Sequence, residues 1–189
     1  MEKVLLLIHT DGEGNLHKSM MEALAAALEA GKRLGEVQLC AGIVGAGASD
    51  AADKLAGSGI EKVFTVSEDD FTVSRYSSDS AAAEAVCRAA EASIVVAAGT
   101  SRWNRVLSGV AFRLGGRVDT HVTGFGEGES LSVSRWFYRQ RILASVQRSE
   151  RPWIISVDPG SFQAWSGSGA PPVETEEAVS YTHLRAHET

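Results

Sequence analysis

Only two cysteines, Cys40 and Cys87, occur in the 189 residues, too few for a disulfide framework or a four-thiolate zinc site. Both lie in apolar, alanine-rich stretches, which points to buried thiols in a reducing compartment, the cytoplasm. Long hydrophobic runs are missing too. Nothing approaches the roughly 20 apolar residues that cross a bilayer, so no membrane insertion is expected. The opening MEKVLLLIHTDGEG holds an apolar run of only 5 residues, with acidic residues after it; it reads as a first core strand and not as a signal peptide. Positive charge is in deficit: 18 Lys and Arg stand against 24 Asp and Glu, a formal net charge of −6. Such a molecule repels phosphate backbones, so no nucleic-acid partner is expected. The arginine-rich stretch SRWFYRQRILASVQRSERP is a local exception. No G-x-S-x-G nucleophile elbow and no recognisable Cys–His order is present, which leaves no support for a nucleophilic enzyme.

What remains is an ordinary soluble composition, 44% hydrophobic and 22% charged, long enough for one domain with a tail. Val4–Ile8 is aliphatic throughout and bounded by Lys3 and the turn-forming TDGEGN, the pattern of a strand buried on both faces. HKSMMEALAAALEAGKRLG follows as a helix that stops at Lys32, Arg33 and Gly35, with basic residues and glycine at its C-terminus. The alternation continues. EVQLCAGIV, KVFTV and SIVVAA read as strands; SDAADKLAGSG, SSDSAAAEAVCRAAEA (with Ser or Asp caps) and RVLSGVAFRLGG read as helices. This predicts an α/β fold with a mainly parallel sheet and helices on both faces. The last part, HVTGFGEGESLSVSRWF, RILASVQ and PWIISVD, reads as short extended antiparallel segments with turns and no room for helices.

Several clusters are candidates for chemistry. Gly45 and Gly47 in GIVGAGASD stand between a strand and a helix, where glycines cradle phosphate, but Asp50 occupies the place of a third glycine; a tight turn and a nucleotide site are both open. Thr100, Ser101, Arg102 and Asn104 follow the most apolar strand; they would hold an anion, merely cap a helix, or meet a partner at the surface. His9, Asp11 and His17 are close in sequence, as are Asp119 and His121, and either group would serve acid–base chemistry if folded together. Trp136, Phe137 and Tyr138 interleave with Arg135, Arg139 and Arg141, a composition of protein interfaces and also of a strand with one solvated face. His183 and His187 stand four apart beside Glu188, on one face if helical.

The order GIVGAGASDAADKLAGSGIEKVFTV, AAGTSRWNRVLSGVAFRLGGRVDTHVTGF, SRWFYRQRILASV, PWIISVDPGSF resembles the amino-terminal domain of the electron transfer flavoprotein alpha subunit. The resemblance covers Val4 to Glu177. It implies a Rossmann-like domain related to adenine-nucleotide hydrolases that scaffolds a heterodimer. In such a heterodimer FAD is held by a carboxy-terminal domain with a Ser-Gly-Gly-Arg-Gly motif, which this chain lacks. AMP, where present, sits in the partner beta subunit, and electrons pass from flavin dehydrogenases to a quinone reductase or another acceptor. No catalytic, metal or cofactor-binding residue is therefore expected in this chain. One departure stands out: Arg135 and Tyr138 match the family pattern Arg-Pro-x-Tyr-(Ala/Gly)-Gly-Asn, whereas Arg139, Gln140 and Arg141 replace its end.

Residues 1–162 are read as the domain and 163–178, rich in Ser, Gly, Pro and Glu, as a linker. A back-translation of VSYTHLRAHET, residues 179–189, resembles a transposase-type sequencing adapter read in frame, so this tail is expected to be a non-native scar that interrupts the gene before its flavin-binding half.

Overall fold

The computed structural model describes residues 1–67, 71–128, 130–167 and 174–177. Along the chain lie β1 (Glu2–His9), α1 (Lys18–Leu34), β2 (Val37–Val44), α2 (Ala48–Ala52) with a 3-10 turn over Asp53–Leu55, β3 (Lys62–Val66), α3 (Tyr76–Ala89) and β4 (Ile94–Ala98). They continue as α4 (Ser101–Arg113), β5 (Arg117–Phe125), β6 (Val133–Phe137), β7 (Ile142–Val146), β8 (Trp153–Val157) and β9 (Glu174–Glu177). All strands join one sheet in the order β7-β6-β5-β8-β4-β1-β2-β3-β9. From β5 to β9 the neighbours run parallel, while β5–β6 and β6–β7 are antiparallel. Among the described residues no helix is long and apolar enough to cross a membrane.

The unbroken aliphatic run of β1 follows from its central place. Val4, Leu6 and Ile8 pack with Met20, Leu24 and Ala27 of α1 on one face. Leu5 and Leu7 pack with Val86 of α3 and Trp103 and Leu107 of α4 on the other. With both faces covered there is no solvent side on which a polar residue would be favoured. The predicted end of α1 is observed: Gly35 takes φ 84 and its N–H donates to the Gly31 carbonyl, a conformation open to glycine. Three other helices differ from expectation. α2 lasts only five residues before the 3-10 turn, and α3 begins after Arg75 with no side-chain cap. α4 begins at Ser101, earlier than the apolar pattern indicated, because Thr100 caps it by accepting from the Trp103 backbone N–H at 3.3 Å.

Two extended segments also depart from the sequence reading. β8 is not one more antiparallel piece: it inserts in parallel between β4 and β5, every residue buried. Trp153–Val157 is apolar at four of its five positions, and an apolar stretch is stabilised most where both faces are covered. Within the segment read as linker, Glu174–Glu177 adds to the β3 edge as β9, where Lys62 pairs with Glu176. The beginning of that segment is tied down as well, since the Trp165 backbone N–H donates to the Met21 carbonyl at 3.1 Å. The expected tail, residues 179–189, lies outside the described residues.

Asp119 on β5, fully buried, holds the antiparallel extension to the rest. Its carboxylate accepts from Arg135 of β6 at 2.6 Å, from Arg148 of the β7–β8 connection at 2.9 and 3.1 Å, and from the Trp153 indole of β8 at 2.9 Å. Burial pushes this carboxyl up, and the Arg148, Arg135 and Trp153 donors more than offset that, holding it below the usual carboxylate range. Replacing Asp119 by Ala removes the acceptor shared by all three. We expect Asp119→Ala to lower stability by about 3 kcal/mol in urea titration, near the lower end for breaking a buried pair because Arg148 remains partly solvated.

Candidate functional site

In an open parallel sheet, ligands bind beyond the carboxyl ends of the strands, where the strand order reverses. Here the chain runs from β1 outward through β2 and β3, then returns to place β4 on the other side of β1. The carboxyl ends of β1 and β4 carry His9 and Thr100. The His9 Nδ1 lies 3.0 Å from the Thr10 carbonyl, which can only accept, so Nδ1 bears the proton and Nε2 accepts from the Thr100 hydroxyl at 3.1 Å. The ring stands edge-on to Trp103, centroids 5.8 Å apart. Burial drives the His9 pKa below the ordinary imidazole value, so the ring is neutral at pH 7.

The residues suspected of holding an anion beside it are otherwise engaged. Arg102 is buried, donates to Asp79 at 2.6 and 3.0 Å, and also donates to the Phe71 carbonyl at 2.8 Å. Asn104 Oδ1 accepts from the Ser156 hydroxyl at 2.7 Å. The glycine turn has the same character. A Cβ at Gly45, whose φ is 128, would lie 2.4 Å from the Thr10 hydroxyl, and one at Gly47 would lie 3.3 Å from Gly14 Cα. Both glycines therefore serve close packing against the 10–14 segment, as the tight-turn reading expects. A flavin pyrophosphate needs several free donors converging on a glycine cradle; here the Gly45 N–H donates to the Val66 carbonyl at 2.9 Å, and the Arg102 guanidinium is taken by Asp79 and the Phe71 carbonyl. The buried Thr10 hydroxyl and Trp103 indole N–H have no partner among the described residues, too few for such a cradle.

The acid–base candidates do not assemble. Asp11 Oδ1 accepts from the Glu13 and Asn15 backbone N–H groups at 2.9 and 2.8 Å, and its other oxygen faces His17 at 3.7 Å, while His9 turns away to Thr100. His121 pairs with Asp158 at 3.2 Å and not with Asp119. No group of three metal-ligating side chains occurs among the described residues, and His183 and His187 lie outside them.

The arginine–aromatic stretch forms β6, the hairpin tip and the start of β7. Arg135 stacks 4.3 Å above the Phe137 ring. Tyr138, Ile142 and Leu143 are exposed at 76%, 50% and 54%, which leaves apolar side chains at the hairpin tip and on both faces of the outermost strand. Sequence reasoning missed a second exposed group, Val73, Tyr76 and Phe112 on the α3–α4 side. Helical periodicity gives no signal for Phe112, because an outward aromatic looks like one more apolar position.

With this geometry in place, one comparison decides the family: the family model described as electron transfer flavoprotein domain matches residues 4–180. The chain belongs to that family. No curated protein matches it. Members of the electron transfer flavoprotein family are electron carriers, and the mostly parallel, Rossmann-like sheet agrees with that assignment.

His9 gives this domain a pH dependence. Its folded pKa lies below the unfolded value of about 6.5, so the unfolded chain binds the proton more readily. The contribution is fully present above that pH and is lost as pH falls through the folded pKa. Thermal melts of the native chain should fall as pH drops below about 6.5, and His9→Gln should flatten that part of the profile.

Proposed function

We propose that the chain is the amino-terminal domain of an electron transfer flavoprotein alpha subunit, acting as the scaffold that pairs with a beta subunit. FAD is held elsewhere in the complete protein, AMP in the beta subunit, and electrons come from flavin dehydrogenases such as acyl-CoA dehydrogenases and leave to a quinone reductase or another acceptor. The observation that carries the scaffold role is the engagement of Thr100, Arg102, Asn104 and Gly45 in contacts within the domain. A cofactor-binding domain of this architecture would keep such groups free at the carboxyl ends of its strands. The domain's contribution is then a rigid shape and an apolar outer surface, Tyr138, Ile142 and Leu143, of the kind that subunit contacts cover. Two buried free thiols fit a cytoplasmic setting.

The purified chain should be colourless after mixing with FAD and desalting, and should co-purify with an electron transfer flavoprotein beta subunit when the two are expressed together. A yellow, stoichiometric FAD complex of this chain alone would refute the division of labour. Failure to pair with any beta subunit would refute the scaffold role.

A further inference from the structure

Among the described residues, five non-glycine residues have positive φ: Glu91, His121, Tyr138, Arg139 and Gln140. Four of them, all but Glu91, line a single concave pocket of about 540 Å³ at the β6–β7 hairpin, together with Arg135, Trp136 and Phe137. Left-handed backbone strains residues that carry a Cβ, and such residues gather at binding sites because the strain persists only where the surroundings impose it. Tyr138, Arg139 and Gln140 do so consecutively, with φ of 48, 55 and 62, inside a loop closed by the Arg141 N–H donating to the Phe137 carbonyl.

This loop leaves donors unspent. Among the described residues, none accepts from the backbone N–H groups of Tyr138, Arg139 and Gln140 or from the Arg139 guanidinium. The Arg135 Nε is buried without a partner. The pocket lining holds two guanidiniums, Arg135 and Arg139, and no carboxylate, Asp119 meeting Arg135 and Asp158 meeting His121 from outside it, so the lining is positive although the chain is acidic. Free N–H groups and a guanidinium suit an oxyanion. Their number exceeds what the two oxygens of a carboxylate would use and suits the three terminal oxygens of a phosphate monoester. Trp136 and the open ring of Tyr138 add faces on which a flat ring stacks.

We infer that the β6–β7 hairpin pocket binds an aromatic phosphate monoester, the phosphate at Arg139 and the hairpin-tip N–H groups and the ring against Trp136 and Tyr138. The site lies away from the carboxyl ends of β1 and β4 and shares Tyr138 with the surface offered above to the beta subunit.

The test is calorimetric titration of the whole chain with phenyl phosphate, AMP and inorganic phosphate. Phenyl phosphate should bind at least tenfold more tightly than inorganic phosphate; AMP binding as well as phenyl phosphate identifies the source as a nucleotide, and AMP binding no better than inorganic phosphate identifies a smaller aryl phosphate. Arg139→Ala should weaken phenyl phosphate binding at least tenfold and Arg139→Lys should recover part of it, both variants melting with the parent chain because the residue is exposed. Thr100→Ala, at the carboxyl end of β4, should leave the affinity unchanged. Absence of saturable binding at millimolar ligand overturns the proposal, as does binding that Arg139→Ala leaves intact or that Thr100→Ala abolishes. Loss of beta-subunit pairing in Arg139→Ala, with no phosphate binding by the parent chain, makes the pocket a protein seat and also overturns it.

Discussion

The carboxylate of Asp119 is the point on which the half of the sheet beyond β4 depends. Parallel strands β1 to β4 are covered by helices on both faces and bury mainly apolar residues. β5, β6 and β7 have no such cover along their outer part, where most residues are half-buried or exposed. A fully buried carboxylate that binds two guanidiniums and an indole joins β5 to β6, to the β7–β8 connection and to the central strand β8. Removing one member would leave a buried charge uncompensated, so the set acts as a unit.

That clasp also explains how polar groups are divided over the molecule. Near the carboxyl ends of β1 and β4 the polar residues close on one another: His9 with Thr100, Arg102 with Asp79, Asn104 with Ser156. Every such pair links two elements of the core and stiffens it. At the β6–β7 hairpin the reverse holds, and strained backbone and unpaired donors are concentrated in one place beside the exposed Tyr138. The rigid half supports the half that is free to make contacts, an arrangement suited to a carrier that works by assembling with other proteins.

Much of the layout was legible from composition and period. The unbroken aliphatics of β1 and β4, the alanine-rich helices, and the basic-then-glycine stop of α1 all reflect local rules that hold before any tertiary contact exists. The family was legible from the order of several modest motifs, and the match over residues 4–180 agrees with it. Strand partners were harder. PWIISVD looked like one more short extended piece, and only the space between β4 and β5 revealed it as a central parallel strand. β9 was invisible because Glu174–Glu177 has no apolar period and gains its place from backbone pairing and the Lys62–Glu176 contact.

Sequence by itself determined the fold class, the two-faced burial of the central strands and the membership of the electron transfer flavoprotein family, since all three rest on residue type and order. Only tertiary structure decided what the polar residues do. Gly45 and Gly47 are of the type that cradles phosphate or allows close packing, and in the fold the 10–14 segment lies against them. Arg102 and Arg139 are the same residue type, yet one is buried on Asp79 and the other is unpaired among the described residues. The difference comes from which elements the fold brings within hydrogen-bond distance, and no local pattern carries that information.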